Sequence, residues 1–255
     1  MVGNAPAHGL SKDLVTSRIR NFWGYGSLDA PVWFVGMEEG LSRDVTDVND
    51  ERLLARFTAT ADRQTVDLRR GMEAVPDHIK WFRPCAPLQS TWKYLIALYL
   101  HLKHGSIPAP EAIRDFQSCA LADSKLKETA AIELMSLPSN KARQSTWLYN
   151  RLGVPGLSTR AEYLEKYVPE RVSRLSALII QHKPKLVVFY SLNYRKYWEK
   201  IIGTPATEVT KQMFATQANE MLFCVVPQGS MRGMSYARIH EYARLVAEQF
   251  PRVKV

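Results

Sequence analysis

Cysteine is scarce in this chain and sits where it can staple nothing: Cys85, Cys119 and Cys224 are far apart and odd in number. That excludes a disulfide framework and points to a reducing compartment with free thiols. Neither a zinc site nor an iron-sulfur cluster has its ligand spacing here, so no metal and no cofactor is expected. Long apolar runs are missing too: none reaches 18 residues, and Met1 to Leu10 carries no basic-then-apolar signal pattern. Together these absences predict a soluble, cytoplasmic protein without a membrane partner. Internal repeats and low-complexity segments are also lacking, so one domain spanning residues 1–255, acting as a monomer, is the simplest expectation.

What is present suits a folded domain. With 255 residues and 46% hydrophobic content, the chain can bury a sizeable core. Its +9 formal charge is unevenly spread. Residues 1–140 hold 16 Lys+Arg against 17 Asp+Glu, whereas residues 141–255 hold 18 against 8. A one-sided positive field suits a polyanion, because neutralising phosphates releases counterions. A solubility surface would produce the same imbalance.

Four apolar runs have the length and content of strands: Val32–Val35, Ala131–Met135, Leu186–Tyr190 and Met221–Val226. Helical patterns lie between them, over Leu53–Arg70, Thr91–Lys103 with Ser90 as cap, Arg160–His182, Tyr194–Ile202 and Ser235–Phe250. Alternating strands and helices predict an α/β fold, three layers α/β/α, with a four-stranded parallel central sheet. Two long loops, Pro76–Gln89 and Leu137–Thr159, interrupt the rhythm at strand ends, and loops of such length are usually functional or mobile.

In open α/β sheets ligands bind beyond the carboxyl ends of the strands. The first run, Pro31-Val-Trp-Phe-Val-Gly-Met-Glu-Glu-Gly40, ends there in two adjacent carboxylates, Glu38 and Glu39, read as lying in a glycine-bounded turn. They are candidates for chemistry, and equally suit solvated loop positions. After the fourth run, Gln228-Gly-Ser-Met-Arg-Gly233 offers Ser230, Arg232 and backbone amides for a phosphate, with Met231 as an apolar wedge between bases. A plain strand-to-helix connection with core methionines fits as well. Ser191 and Asn193, after the third run, suit contacts to a nucleic acid. Trp81 and Phe82 beside Arg83 suit stacking of an exposed base, or simply pin their proline-rich loop.

Taken together, these segments resemble the uracil-DNA glycosylase superfamily. Gly36-Met37-Glu38-Glu39-Gly40 looks like that family's Gly-x-Asp/Asn-Pro type motif, with Glu38 where the catalytic Asp or Asn falls and Glu39 replacing the proline. Gln228-Gly229-Ser230-Met231-Arg232-Gly233 looks like its His-Pro-Ser-x-Arg-Asn type motif. There Ser230 and Arg232 match, while Gln228 and Gly233 depart. The resemblance implies a monofunctional glycosylase that flips a base out of duplex DNA and hydrolyses its N-glycosidic bond. Glu38 and Glu39 would then be catalytic; Met37 (through its backbone amide), Trp81, Phe82 and Gln228 would bind the base; Ser191, Asn193, Ser230, Met231 and Arg232 would bind DNA. The departures point away from plain uracil. Gln228 stands for a histidine that stabilises the leaving base, and the second strand offers Glu133, Leu134, Met135 and Ser136 where a uracil-reading asparagine is expected. Superfamily members also act on modified pyrimidines, including bulky bases of bacteriophage DNA, so excision of a modified pyrimidine is the leading expectation; hydroxymethylated or glucosylated bases are candidates, and repair and phage defence both stay open as its purpose. Uracil or damage repair, a DNA-binding member without catalysis, and an enzyme of small nucleotides remain alternatives.

Overall fold

The computed structural model describes residues 9–42, 44–73, 75–140 and 147–251. Residues 141–146 of the second long loop and 1–8 of the amino-terminal stretch, both read above, lie outside the described residues. The chain folds as α1 (Lys12–Asn21), β1 (Gly24–Gly26), β2 (Val32–Gly40), α2 (Glu51–Ala59), β3 (Thr65–Val66), α3 (Leu68–Glu73), α4 (Trp92–His104), α5 (Pro110–Cys119), β4 (Thr129–Ser139), α6 (Arg160–His182), β5 (Leu186–Tyr190), α7 (Arg195–Ile202), β6 (Thr207–Thr210), β7 (Met213–Ala218), β8 (Met221–Val226) and α8 (Tyr236–Gln249). Short 3-10 turns cover Pro76–Phe82, Leu148–Leu152 and Leu192–Tyr194.

The four expected runs are β2, β4, β5 and β8, and they stand side by side in the parallel order β4-β2-β5-β8. The expected four-stranded parallel sheet is nevertheless incomplete. Eight strands are present, in the order β3-β1-β4-β2-β5-β8-β7-β6, and the sheet is mixed. β1 runs antiparallel to β4, and the β6-β7 hairpin adds antiparallel to β8. These additions are edge elements: β1 and β3 are three and two residues long, and β6 is partly exposed. None makes the continuous apolar run by which a doubly covered strand declares itself.

Strand alternation divides the core. Trp33, Val35, Val187, Phe189 and Phe223 face one layer, where α1, α2, α6 and α7 contribute Ile19, Phe57, Tyr163, Leu175 and Trp198. Val32, Phe34, Val188, Leu222 and Cys224 face the other, built from α3, α4, α5 and α8 with Leu68, Leu98, Phe116 and Tyr242. Each fully buried Val, Leu or Phe contributes about 1.5–3 kcal/mol, so covering both faces is what holds the sheet. Among the described residues no helix is long and apolar enough to cross a membrane.

Several boundaries differ from the expected ones. The single helix expected over Leu53–Arg70 is α2, then β3, then the start of α3. α6 runs unbroken through Pro169, begun by Thr159, whose side chain accepts from the Glu162 amide. The start of α4 is covered by Gln89 rather than Ser90: Gln89 Oε1 accepts from the Thr91 and Trp92 amides at 2.6 and 2.8 Å. Most consequential for function, β2 continues to Gly40 and β4 to Ser139. Glu38 and Glu39 therefore lie on the strand itself, not in a turn after it.

Candidate active site

At the carboxyl end of the parallel strands a cavity of about 310 Å³ opens, lined in part by Glu38, Glu39, Trp81, Glu133, Tyr190 and Gln228. That volume is at the lower end of ligand pockets, which span about 300–1,000 Å³, and suits a base-sized guest. Four of the residues singled out from the sequence, Glu38, Glu39, Trp81 and Gln228, thus meet although three separate chain segments supply them.

The two neighbouring acids have unlike settings. Glu39 is buried between two guanidinium groups, Arg18 Nη2 on Oε1 and Arg56 Nη1 on Oε2, each at 2.8 Å. The Tyr25 hydroxyl also donates to Oε1 at 2.8 Å. Burial, and then the Glu39 charge, push the Tyr25 hydroxyl well above the usual phenol range, so it stays a donor. Arg18 reaches further, to the Ser136 carbonyl at 2.9 Å and to Thr60 Oγ1, and stacks on the Phe22 ring 4.0 Å away. The cluster ties α1 and α2 to the ends of β2 and β4.

Glu38 is held by a guanidinium group at the rim. The Arg160 guanidinium forms a two-pronged contact, Nη2 to Oε1 at 2.5 Å and Nε to Oε2 at 3.3 Å, and Arg160 Nη2 also donates to the Tyr194 hydroxyl at 3.4 Å. The Glu38 side chain is 1% exposed and that of Arg160 is 22% exposed, so the cation faces the rim. Burial works against the Arg160 charge, but the hydrogen bond and charge of Glu38 outweigh it and raise its pKa.

The first long loop is fastened as a cavity wall. Gln117, buried on α5, donates to the Trp81 and Pro87 carbonyls at 3.1 and 3.0 Å and accepts from the Gln89 amide at 2.9 Å. Trp81 is left half-buried on the cavity. Phe82 is not on it: it is buried in the layer beneath, its ring 6.0 Å from that of Trp92, which does line the cavity. Met37 points into the opposite core layer. Gly229 passes so close to the start of α4 that a Cβ there would collide with the Ser90 carbonyl, and the preceding Gln228 lines the cavity.

The proposed DNA contacts gather on the same edge without entering the cavity. Ser191 is buried at φ 85°, its amide donating to the Val226 carbonyl and its carbonyl accepting from Trp198 Nε1, both at 3.0 Å. It therefore joins the ends of β5 and β8. Asn193, Ser230 and Arg232 are exposed and Met231 is half-buried.

Glu133, Tyr190, Arg18, Arg56 and Arg160 were not singled out as functional from the sequence. One signal was readable: Glu133 is a lone carboxylate in Ala130-Ala131-Ile132-Glu133-Leu134-Met135, and a charge in such a run is costly unless it is engaged. Among the described residues no group of three or more His, Cys, Asp or Glu side chains is placed to hold a metal ion. No protein-family model matches this chain, and a comparison with curated proteins finds no match either.

Proposed function

We propose that the protein is a DNA glycosylase that draws a modified pyrimidine into the cavity above β2 and hydrolyses its N-glycosidic bond. One observation carries the reading: Glu38, Trp81 and Gln228, chosen from the sequence for separate roles in base excision, line one base-sized cavity. Further support comes from the parallel order β4-β2-β5-β8, with the acid-bearing strand inside it, and from the small polar and basic residues on the loops after β5 and β8.

In this mechanism Trp81 offers a ring face to the flipped base and the Gln228 amide donates to its carbonyl oxygen. The C1′–N1 bond breaks, its electron pair leaves with the base, and the sugar becomes cation-like. Glu38 stabilises that charge and orients a water, which adds to C1′ and gives up a proton that balances the charge of the departed base, so that an abasic site and a neutral free base result. Arg160 aims Glu38 through its two-pronged contact. Glu39 serves by fixing the strand end rather than by touching the reacting atoms.

The test is to incubate the protein with duplexes bearing uracil, hydroxymethylated or glucosylated pyrimidines, and with genomic DNA of modified phages, then score alkali-labile sites. Sites on at least one modified substrate are expected; none on any, with active controls, contradicts the reading. The two-pronged Arg160 contact favours a second reading, a DNA-binding member in which Glu38 is held for structure alone. That reading predicts salt-dependent DNA binding without abasic sites.

A further inference from the structure

Glu133 has a setting built by three strands. Gly36 of β2 is in register with Glu133 of β4, and Tyr190 closes β5 beside them. The Tyr190 hydroxyl donates to Glu133 Oε1 at 3.1 Å. A Cβ on residue 36 would collide with that hydroxyl and stand 2.6 Å from Glu133 Oε2, so glycine is needed for the two side chains to share this place. Burial, and then the Glu133 charge, hold the Tyr190 hydroxyl well above the usual phenol range, keeping it a donor. Both residues line the same cavity as Glu38 and Gln228.

A carboxylate reads a ring edge differently from an amide. An amide offers one donor and one acceptor, whereas an ionised carboxylate only accepts. A 4-oxo pyrimidine presents N3–H beside the C4 carbonyl oxygen, so one carboxylate oxygen finds a donor while the other meets lone pairs. In a cavity of low dielectric that mismatch is costly. A 4-amino pyrimidine presents an amino donor beside the basic N3 lone pair. One oxygen then accepts from the amino group, and a single proton shared between the other oxygen and N3 completes a second hydrogen bond. The ring nitrogen and a carboxylate have similar basicity, so the proton can be shared; a carbonyl oxygen is far too weak a base.

We propose that Glu133, oriented by Tyr190, reads the edge of a 4-amino pyrimidine, making cytosine-type bases, including those modified at C5, the substrate class. The excision of such a base rests on the glycosylase reading; its recognition does not. The shared proton also balances the chemistry. As C1′–N1 breaks, the base leaves with the electron pair and retains the proton on N3, departing neutral, while Glu133 is left ionised. The proton lost by the attacking water restores it.

The test separates recognition from excision. Duplexes carry 2′-fluoroarabino 5-hydroxymethylcytosine or 2′-fluoroarabino 5-hydroxymethyluracil, which resist cleavage, each opposite an abasic analogue so that both flip at similar cost. Wild type is expected to bind the cytosine-type duplex at least tenfold more tightly, and Glu133→Gln, whose amide suits either edge, to reduce the ratio to near one. Because each ratio is internal to one protein, partial unfolding does not alter it, and the wild-type ratio alone decides if the variant fails to fold. Equal binding or preference for the uracil-type duplex by wild type, or an unchanged ratio in the variant, overturns the proposal. With ordinary deoxyribose in the same duplexes, a retained binding preference without alkali-labile sites contradicts only the glycosylase reading. Alkali-labile sites without a binding preference contradict only the assignment to Glu133.

Discussion

Glu39, at the end of β2, and Glu133, midway along the adjacent parallel β4, are both buried carboxylates, yet their surroundings differ in kind. Glu39 meets two guanidinium groups and a phenol, drawn from α1, α2 and β1. Glu133 on β4 accepts from Tyr190 on β5, across the intervening β2, where Gly36 keeps the space clear. The first arrangement fastens secondary structure together; the second lines the cavity, where our proposal has Glu133 read a guest. Two acids that line one cavity can thus be set apart by the identity of their partners rather than by burial.

The largest expected effect breaks the fastening side of this contrast. Glu39→Ala leaves Arg18 and Arg56 buried without their carboxylate, and loss of one member of a buried ion cluster costs about 3–5 kcal/mol. Urea unfolding should show it as a lower midpoint, whereas a near-neutral result would show that the arginines rehydrate easily. Gly36→Ala strikes the other side: the added methyl must displace Tyr190, at about 1–3 kcal/mol of overpacking, and base-dependent binding should vanish even in the protein that remains folded. Arg160→Ala should cost about 1–3 kcal/mol, because it leaves the nearly buried Glu38 carboxylate without this cation while water can enter at the partly exposed arginine position. Abasic-site formation should still fall by about 10- to 100-fold as Glu38 loses its aim.

The smallest effect lies away from the cavity and sharpens the contrast by changing neither acid. His101 on α4 and His240 on α8 approach Nδ1 to Nδ1 at 3.2 Å. Burial lowers both pKa values, and the neighbouring His101 lowers that of His240 further. The unfolded chain then binds protons more readily, since free histidine titrates near about 6.5. Stability is therefore full above that pH and declines as pH falls below it towards the folded values. Unfolding midpoints measured across this range should flatten in His240→Gln.

The central parallel strands and α6 were legible because doubly covered strands are continuous apolar runs and a long amphipathic helix repeats its stripe. β1 and β3 were not, being too short to show a period. β6 and β7 were missed because Lys211-Gln212 joins them with Gln212 at φ 66°, in place of the asparagine-glycine pair that advertises such turns. In the site, Glu38, Glu39, Trp81 and Gln228 were readable from strand ends and loops. Arg160 lies 122 residues from Glu38 and Tyr190 lies 57 from Glu133, so no local spacing records either pair. The same distance in sequence hid the difference between Glu38 and Glu39, which only their partners reveal.

That difference is best measured by abasic-site formation in Glu38→Gln beside wild type, on whichever modified duplex wild type cleaves. The account predicts a loss of about 100-fold or more, as for removal of a group that stabilises developing charge. DNA affinity should be kept, and the melting temperature should shift by less than about 4 °C. Undiminished cleavage by Glu38→Gln, or no cleavage by wild type on any duplex tested, would contradict it.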